Sequence, residues 1–448
     1  MPPPPIQTTR HSHVSPPIMD LIRQAWQVVI DPYYTRYTAP LQLLGDAALC
    51  VLIILKIPYT EIDWTTYMQQ ITLYLSGERN YAKITGSTGP LVYPAMHVHL
   101  YTLLHNLTSS GQNIFLAQQI FLGLYLFTLL LIISCYRKAG VPPYILPLLS
   151  LSKRIHSIFM LRMFNDCFAV MFLWGAIWFW QRRLWTFGTV CFTLGVGVKM
   201  TLVLALPAVG MVLWQGVGRD RAFYQAQSMV QVQGLIAYPF IMGGLSSYLT
   251  RAFEFTRQFM FKWTVNWRFV GEETFLSKPF SYGLLATHAM ILYTFIVGRW
   301  TRPSLWTLPE MIHYLFDPPP KPEQTRIARR VTPDFILTSI LSAMVIGCLC
   351  ARSLHYQFFV YIAWSTPYLL WKSGMPVTLI YVICAAQEWA WNVYPSTNIS
   401  SGVVVGCLAV TVFSIWIGTS PYLEQKRQQQ TPSQPPEEQG KASHEHVE

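Results

Sequence analysis

The sequence predicts an all-α polytopic membrane protein with about twelve transmembrane helices and long luminal loops that carry short interfacial helices. Of its 448 residues, 52% are hydrophobic and only 12% are charged, whereas soluble domains carry about a quarter charged residues. Apolar stretches recur along nearly the whole chain, and a spanning helix needs about 20 such residues. A soluble globular protein is therefore excluded.

The apolar stretches divide the chain into a membrane domain with two polar ends. The predicted spans are centred near residues 49, 125, 147, 174, 193, 209, 239, 290, 342, 364, 384 and 410. Residues 41–420 are expected to form the transmembrane domain. Residues 1–40 are predicted to be a partly disordered cytoplasmic segment, because MPPPPIQTTRHSHVSPP lacks the apolar centre of a signal peptide. Residues 421–448 are polar and low in complexity, which predicts a disordered cytoplasmic tail.

Charged residues between the predicted spans indicate the orientation, because positively charged short loops tend to stay in the cytoplasm. Basic pairs fall on one side of a twelve-span arrangement, at 137–138, 182–183 and 426–427. This places both termini in the cytoplasm. Glycosylation sequons at Asn106 and Asn398 fall on the opposite side, where an acceptor Asn must lie. The predicted luminal loops are about 58–113, 153–166, 246–280, 351–356 and 392–401.

The pattern of basic residues argues against nucleic-acid binding, and the pattern of cysteines argues against disulfides and metal sites. The net charge is +11, but the basic residues are scattered over loops on both sides of the membrane and form no basic-aromatic strip. Membrane lipid is therefore expected as a partner, and nucleic acid is not. The eight cysteines lie in or beside apolar segments without CxxC or His/Cys spacing, so neither a disulfide nor a metal site is predicted.

Basic residues on the predicted luminal side run against the usual charge bias. They cluster where apolar spans meet the lumen, in LSKRIHSIFMLRMFNDC, in the loop YLTRAFEFTRQFMFKWTVNWRFVGEETFLSKPF and in ARSLHYQF. Arginine donors at this depth suit a phosphate or pyrophosphate. The alternative is that they anchor helix ends by snorkelling. Three clusters on one side favour phosphate binding, although Asp166 could simply pair with Arg162 one helical turn back.

Two acids follow the first predicted span, Glu61 and Asp63 in YTEIDWTTYMQQ. A glycosyl transfer needs a base for the attacking hydroxyl and stabilisation of the departing phosphate. Residues two apart point in different directions in a strand or a helix, so only one of them is expected to be the base. A solvated structural acid remains an equal alternative on chemistry alone. Nearby aromatics such as Trp64 could stack on sugar rings, but interfacial aromatic belts also arise without a ligand.

Five segments resemble one family in particular. They are TEIDWTTYMQQ, ERNYAKITGSTGPLVYPAMHVHLY, KRIHSIFMLRMFNDC, FKWTVNWRFVGEE and ARSLHYQF, spread in family order between about residues 40 and 420. The chain resembles the dolichyl-phosphate-mannose-dependent alpha-1,3-mannosyltransferases of asparagine-linked glycosylation, which are polytopic GT-C glycosyltransferases of the endoplasmic reticulum. The resemblance implies a GT-C fold in that membrane, with the acidic motif in the first luminal loop.

The resemblance also implies a reaction. Mannose would pass from dolichyl phosphate mannose to a five-mannose dolichyl-pyrophosphate oligosaccharide, giving a six-mannose product by an inverting direct displacement without metal or cofactor. Asp63 would be the base, with Glu61 as the runner-up. The donor phosphate would be held by Arg154, His156, Arg162, Arg352 and His355. Sugar or acceptor contacts are expected from Trp64, Tyr67, Tyr93, Trp263, Trp267 and Arg268.

Lys199 lies near a break in the apolar stretch GVGVKMTLVLALP. It is a further candidate for the donor phosphate, but it could instead pair with a nearby acid or snorkel. The protein is expected to be a monomer. The competing functions are a transporter or flippase and a structural subunit. A transporter frequently shows internal repeats and ionisable groups near the middle of the membrane. Here no repeat relates the two halves, and the polar groups gather at one membrane face.

Overall fold

The computed structural model describes residues 17–60, 63–254 and 260–421. This part of the chain folds into twenty α-helices, several short 3₁₀ and π turns and one small hairpin. The first ten helices are α1 Pro17–Ile30, α2 Thr35–Lys56, α3 Asp63–Leu75, α4 Ala95–Leu107, α5 Ile114–Lys138, α6 Pro147–Ser150, α7 Lys153–His156, α8 Asp166–Trp180, α9 Trp185–Val198 and α10 Leu206–Val217. The others are α11 Arg219–Ala252, α12 Glu272–Leu276, α13 Lys278–Phe295, α14 Leu308–Phe316, α15 Lys321–Arg330, α16 Pro333–Cys350, α17 Phe359–Ala363, α18 Thr366–Ser373, α19 Val377–Asn392 and α20 Asn398–Gly418.

Six stretches of the described chain are long and apolar enough to cross a membrane. They are Pro32–Lys56, Ile114–Lys138, Met200–Val217, Lys278–Trp300, Pro333–Cys350 and Asn398–Gly418. A seventh is possible if Lys153–Leu161 and Asp166–Trp180, which meet at a bend of 112°, form one broken span. The prediction of an α-helical polytopic membrane protein is confirmed. The other predicted spans fall on shorter or less apolar helices, such as α9 and α19, so the number twelve stays a prediction.

The membrane helices begin where the local sequence provides a cap. Side chains of Asn113, Ser277, Thr332 and Thr397 each accept a hydrogen bond from a backbone N–H in the first turn of α5, α13, α16 and α20. Such residues satisfy donors that a helix end leaves without an intrahelical partner. Helices α5, α13 and α20 pack against α16, which is the most deeply buried of the six spans. Helices α2 and α13 are instead largely exposed, as expected for helices that face lipid.

The predicted polar ends and first luminal loop differ in detail from the structure. Residues 17–30 form helix α1, and α2 begins at Thr35, so the expected domain start at residue 41 falls inside a helix. The long loop expected at 58–113 contains α3, α4 and a hairpin of strands β1 Thr85–Gly86 and β2 Gly89–Pro90. Short helices in this loop are therefore confirmed. Residues 1–16 and 422–448, for which disorder was predicted, lie outside the described residues.

Candidate active site

Asp63 is the first residue of α3, and its side chain is half-buried. The positive end of a helix dipole lies at this position and favours a negatively charged side chain. Burial raises the pKa of Tyr67, and the charge of Asp63 adds to that rise. Besides burial, the charge of Asp63 also raises the pKa of Tyr93. The carboxylate of Asp63 therefore lies close to both tyrosines predicted from the sequence. Glu61, the alternative base, lies outside the described residues.

Four aromatic side chains pack against one another beside Asp63. The Tyr67 ring lies 5.0 Å from His97 and 4.8 Å from Tyr101, while Tyr93 lies 4.7 Å from His97. Burial raises the pKa of Tyr93, although the positive charge of Lys199 opposes the rise. The phenols therefore keep their protons at neutral pH. Tyr67 is buried within the group, whereas Tyr93 also faces a cavity.

His97 is held neutral within this group. Burial, followed by the charge of Lys199, lowers the pKa of His97 to about 3. The amide of Asn165 approaches the Nδ1 atom of His97 at 3.3 Å, a contact in which Nδ1 accepts if the hydrogen of the neutral ring is on Nε2. The sequence did not predict this contact, because only the packing of α4 against the turn before α8 brings the two residues together.

We expect acid to destabilise the protein through His97. The unfolded imidazole takes up a proton below its ordinary pKa of about 6.5, whereas the folded one stays neutral until about pH 3. The contribution of His97 to stability is therefore complete above pH 6.5 and is lost as the pH falls from there towards 3. Between pH 7 and pH 5 the loss is about 2 kcal/mol, measurable by denaturant unfolding in detergent.

A His97→Gln variant should show a flatter dependence of stability on pH in the same experiment. The exposed His313 provides the control, because His313→Gln should leave the wild-type slope unchanged. Equal slopes for the wild type and His97→Gln would contradict the assignment of the acid sensitivity to His97.

Lys199 interrupts the apolar segment between α9 and α10. Its backbone is extended, with φ −152° and ψ 125°, so helix α9 ends just before this residue. The Nζ atom lies 2.5 Å from Asp166 Oδ2, and the Tyr361 hydroxyl donates to Asp166 Oδ1 at 2.9 Å. Pairing with a nearby acid, one of the alternatives for Lys199, is thus confirmed. Arg162 was the partner suggested for Asp166, and the structure places Lys199 and Tyr361 at the two carboxylate oxygens.

Three predicted site residues line one cavity of about 230 Å³: Tyr93, Lys199 and His355. Lys199 Nζ lies 5.7 Å from the centre of the Tyr93 ring, within range of a cation–π contact. Glu254 also lines this cavity and was not identified from the sequence. Glu254 is the last residue described before position 260. Its place in the cavity wall makes it a second acid at the site.

A group of guanidinium side chains lies next to this cavity. The Arg154 guanidinium carbon lies 4.7 Å from the centre of the Tyr356 ring, and Tyr356 directly follows His355 of the cavity. Burial raises the pKa of Tyr356, and the charges of Arg154 and Arg268 both oppose the rise. Arg162 is close enough for its charge to act on Arg154. The predicted basic clusters from three separate segments therefore converge, and we call Arg154, Arg162 and Arg268 the arginine group.

Two members of the arginine group have hydrogen-bond donors that the described protein does not use. The Nε atoms of Arg154 and Arg268 are buried and have no partner among the described residues. Other donors of Arg268 are occupied, since its Nη1 atom donates to the Phe261 carbonyl at 2.8 Å. A buried donor without a partner is costly. An anion such as a phosphate would satisfy these donors.

His156 is part of a different set of contacts. Its Nε2 atom lies 2.8 Å from Asp46 Oδ1, its Nδ1 atom lies 2.6 Å from the Ser152 carbonyl, and Tyr125 donates to Asp46 Oδ2. Both nitrogens are thus engaged within the protein, which leaves neither for a phosphate in this conformation. An acid inside an apolar helix is a recognisable functional signal, but Asp46 was not identified.

The same contacts bear on the expectation that there is no metal site. Potential ligand atoms of Asp46, Cys50 and His156 lie within 4.8 Å of one another, a grouping that sequence spacing did not reveal. Hydrogen bonds already account for this geometry, because the His156 nitrogen and the Asp46 oxygen face each other directly at 2.8 Å. The absence of a metal requirement stays a prediction.

The other residues predicted to bind substrate make contacts within the protein. Trp64 is buried and donates to the Gly111 carbonyl at 2.9 Å. Trp267 donates to the Ala351 carbonyl at 3.1 Å, and Arg352 donates to Ser281 Oγ at 2.9 Å. Trp263 is half-buried and stacks on Tyr394, with ring centres 6.5 Å apart.

Asn266 joins two of the basic segments and was not predicted. Its amide donates to the Ala351 carbonyl at 2.7 Å, and its Oδ1 atom accepts from the Leu354 amide at 2.7 Å. The Val265 amide also donates to the Leu354 carbonyl at 2.9 Å. These bonds position Arg268 and His355 on the two joined segments. A buried Asn between basic and aromatic residues carries no local signal of this role.

The fold and this site define a polytopic helical membrane protein with an acid, neutral tyrosines and buried guanidinium donors gathered between its helices. The family model described as "ALG3 protein" matches residues 40–401, and the chain belongs to this family. The resemblance found in the five sequence segments is thereby confirmed.

Curated relatives extend the match over most of the chain. A protein of Neurospora crassa named "Dol-P-Man:Man(5)GlcNAc(2)-PP-Dol alpha-1,3-mannosyltransferase" is 55% identical over 408 residues, which are 89% of this chain and 92% of the relative. A human protein of the same name is 36% identical over 417 residues, covering 90% and 92% of the two chains. No solved structure matches the chain.

Proposed function

We propose that the chain transfers mannose from dolichyl phosphate mannose to Man5GlcNAc2-PP-dolichol in alpha-1,3 linkage, giving Man6GlcNAc2-PP-dolichol on the luminal side of the endoplasmic reticulum. The family and the names of its relatives support this substrate pair. The observation that carries the proposal is the pair of buried Nε donors of Arg154 and Arg268, which have no partner among the described residues and lie next to a cavity. A leaving phosphate needs such donors.

The reaction is an inverting direct displacement. The acceptor hydroxyl gives its proton to the Asp63 carboxylate as its oxygen bonds to the anomeric carbon of the donor mannose. The bond from that carbon to the phosphate oxygen breaks, and the electron pair leaves with the phosphate. Arg154 and Arg268, with Arg162 beside them, take up the charge that develops there. A beta-linked donor gives an alpha-linked product in this single step.

Three further residues of the cavity wall assist the reaction. Tyr93 keeps its phenol proton and lines the cavity, so it can donate a hydrogen bond to a sugar or phosphate oxygen. The charge of Lys199 is held by Asp166, and Lys199 therefore acts mainly by keeping the break between α9 and α10 in place. His355, in the cavity wall, completes the donor side.

We propose that the chain crosses the membrane as GT-C glycosyltransferases do. The shorter helices complete about twelve crossings, both termini face the cytoplasm, and the protein acts as a monomer. The charge bias of the loops supports this orientation. Asn106 and Asn398 are both exposed, which is compatible with a luminal position. Mass spectrometry of protein from a glycosylating host tests it, because glycan attached to either Asn requires that residue to have reached the lumen.

Microsomes from cells that lack the endogenous activity test the proposal directly. The expressed protein should convert radiolabelled five-mannose lipid-linked oligosaccharide into a six-mannose product when dolichyl phosphate mannose is supplied. The linkage is established by digestion with an alpha-1,3-specific mannosidase. A transporter or flippase would move lipid without lengthening the sugar, so absence of elongation at normal protein abundance would rule the proposal out.

We predict that divalent-metal chelators leave the transfer rate unchanged. The arginine group supplies the positive charge that a metal ion supplies in other phosphate-releasing enzymes. The measurement is the initial rate of six-mannose product formation with and without EDTA. Strong inhibition that is reversed by manganese would overturn the metal-independent mechanism while leaving the mannosyl transfer itself intact.

A further inference from the structure

A second cavity, of about 180 Å³, lies at the start of α16 and is lined by four basic side chains. We call it the basic cavity. Its cations come from separate parts of the chain, since Arg299 and Arg302 follow α13, Arg330 ends α15 and Lys372 lies in α18. Asp334 is the one acid among the described residues that line it. Four cations against one carboxylate give this wall a net formal charge of +3.

The carboxylate of Asp334 is already engaged by one of these cations. Lys372 Nζ lies 2.8 Å from Asp334 Oδ2, and the Thr332 hydroxyl donates to Oδ1 at 2.5 Å. Two guanidinium nitrogens of Arg299 donate to the Trp416 carbonyl at 3.0 and 2.8 Å. A backbone carbonyl holds a guanidinium in place but does not cancel its charge. An anion in the basic cavity would do so, and the fork of guanidinium donors suits a phosphate.

The basic cavity and the candidate active site lie at opposite ends of α16. The helix begins at Pro333 beside the basic cavity and ends at Cys350. The next residue, Ala351, accepts a hydrogen bond from the Asn266 amide at the candidate active site. The 18 residues of α16 span about 27 Å, close to the hydrocarbon thickness of a bilayer, about 30 Å. The two sites therefore face opposite surfaces of the membrane.

We infer that the basic cavity binds the phosphate of an anionic phospholipid from the leaflet opposite the candidate active site. A lipid is favoured over a free anion because α13, whose Phe295 lines the basic cavity, is largely exposed on the side of the membrane. Acyl chains can lie against α13 while the phosphate enters the basic cavity. Basic pockets between membrane helices bind such headgroups on the cytoplasmic side, where anionic lipids are concentrated. This binding is separate from mannosyl transfer and does not depend on it.

Anchoring of helix ends is the other explanation for basic residues at a membrane surface. Anchoring side chains extend outward and have no need of a common cavity, whereas these cations come from three segments and line the same one. Helix α15 contains both kinds of residue. Arg326 and Arg329 are exposed and do not line the basic cavity, but Arg330 does. Arg326 and Arg329 therefore provide a matched control.

The test compares two variants that lose the same charge. Arg302→Gln with Arg330→Gln removes two cations from the basic cavity, whereas Arg326→Gln with Arg329→Gln removes two exposed cations of α15. Native mass spectrometry of the purified full-length protein in detergent measures binding of dioctanoyl phosphatidylinositol, with dioctanoyl phosphatidylcholine and inorganic phosphate as comparison probes. We expect the cavity variant to bind phosphatidylinositol about thirtyfold more weakly than wild type, the effect of two cations near a membrane surface. The control variant should stay close to wild type.

A charge-conserving variant separates loss of charge from loss of folding. Arg302→Lys with Arg330→Lys keeps both cations and should retain most of the binding. Equal losses in the two glutamine variants would assign the binding to general surface charge and overturn the inference. Absence of binding to wild type, equal binding of phosphatidylcholine, or a lysine variant as weak as the cavity variant would overturn it too. Inorganic phosphate that binds as tightly as phosphatidylinositol would make the basic cavity a site for free phosphate instead of a lipid headgroup.

Discussion

Asp63→Asn should reduce mannosyl transfer by about 10²–10⁴-fold, the range in which loss of a general base falls. The amide keeps the size and the polarity of the carboxylate but cannot take the proton of the acceptor hydroxyl. Because Asn is also well tolerated at the start of a helix, the α3 helix that begins at Asp63 should remain intact. The measurement is the initial rate of six-mannose product formation at equal protein abundance, with both substrates saturating.

Two other acids provide the controls for this prediction. Glu254 lines the same cavity, and Glu61 precedes Asp63 by two residues. Glu254→Gln and Glu61→Gln should each retain much more activity than Asp63→Asn. If Asp63→Asn is active and Glu61→Gln is not, the roles of the two acids are reversed. If Glu254→Gln alone is inactive, the base comes from the end of α11.

The sequence pointed to site residues where a charged residue type stands out against its neighbours in the chain. An acid directly after an apolar span, arginines at the ends of spans and a lysine inside an apolar stretch were all conspicuous in a chain with only 12% charged residues. Asp63, the arginine group and Lys199 were singled out in this way, and their roles in the reaction stay predictions. Their convergence could be anticipated only through the family resemblance, since they come from segments far apart in the chain.

What the sequence did not reveal depends on long-range packing. Asp46 forms hydrogen bonds to His156 and Tyr125, which lie 110 and 79 residues away. Asn266 acts through the backbone of a segment about 85 residues further on. No periodicity or spacing connects such residues. His156 shows the same limit in reverse, because a histidine in a basic cluster suggests phosphate binding until its structural partner on another helix is known.

The number of spans was difficult to predict for a related reason. A hydropathy pattern identifies an apolar segment but not a bend within it, and the segments around 153–180 meet at 112°. Polar groups released at such a bend must find partners inside the protein, because lipid offers none. Here Asp166 at the bend is satisfied by Lys199 and Tyr361. The break in the helices and the buried ion pair are thus parts of one arrangement that brings charge beside the cavity.

Lys199→Met should destabilise the folded protein by about 3–5 kcal/mol, because removal of one partner leaves the other as an uncompensated buried charge. Asp166 is fully buried and Lys199 is 8% exposed, and the Tyr361 hydroxyl is too weak a partner to replace the ammonium group. The double variant Lys199→Met with Asp166→Asn removes both charges and should recover much of the lost stability. Denaturant unfolding in mild detergent measures all three proteins.

Lys372 and Asp334 form a matched pair for this experiment, since their charged atoms are 2.8 Å apart but their side chains are 25% and 35% exposed. Lys372→Met should cost less than about 1 kcal/mol, because solvent reaches this pair and screens its charges. Equal losses for the two lysine variants would contradict the argument from burial. If the double variant is stable but transfers mannose slowly, Lys199 contributes charge to the reaction as well as holding the break between α9 and α10. If it is stable and fully active, its role is structural alone, and the arginine group carries the leaving phosphate.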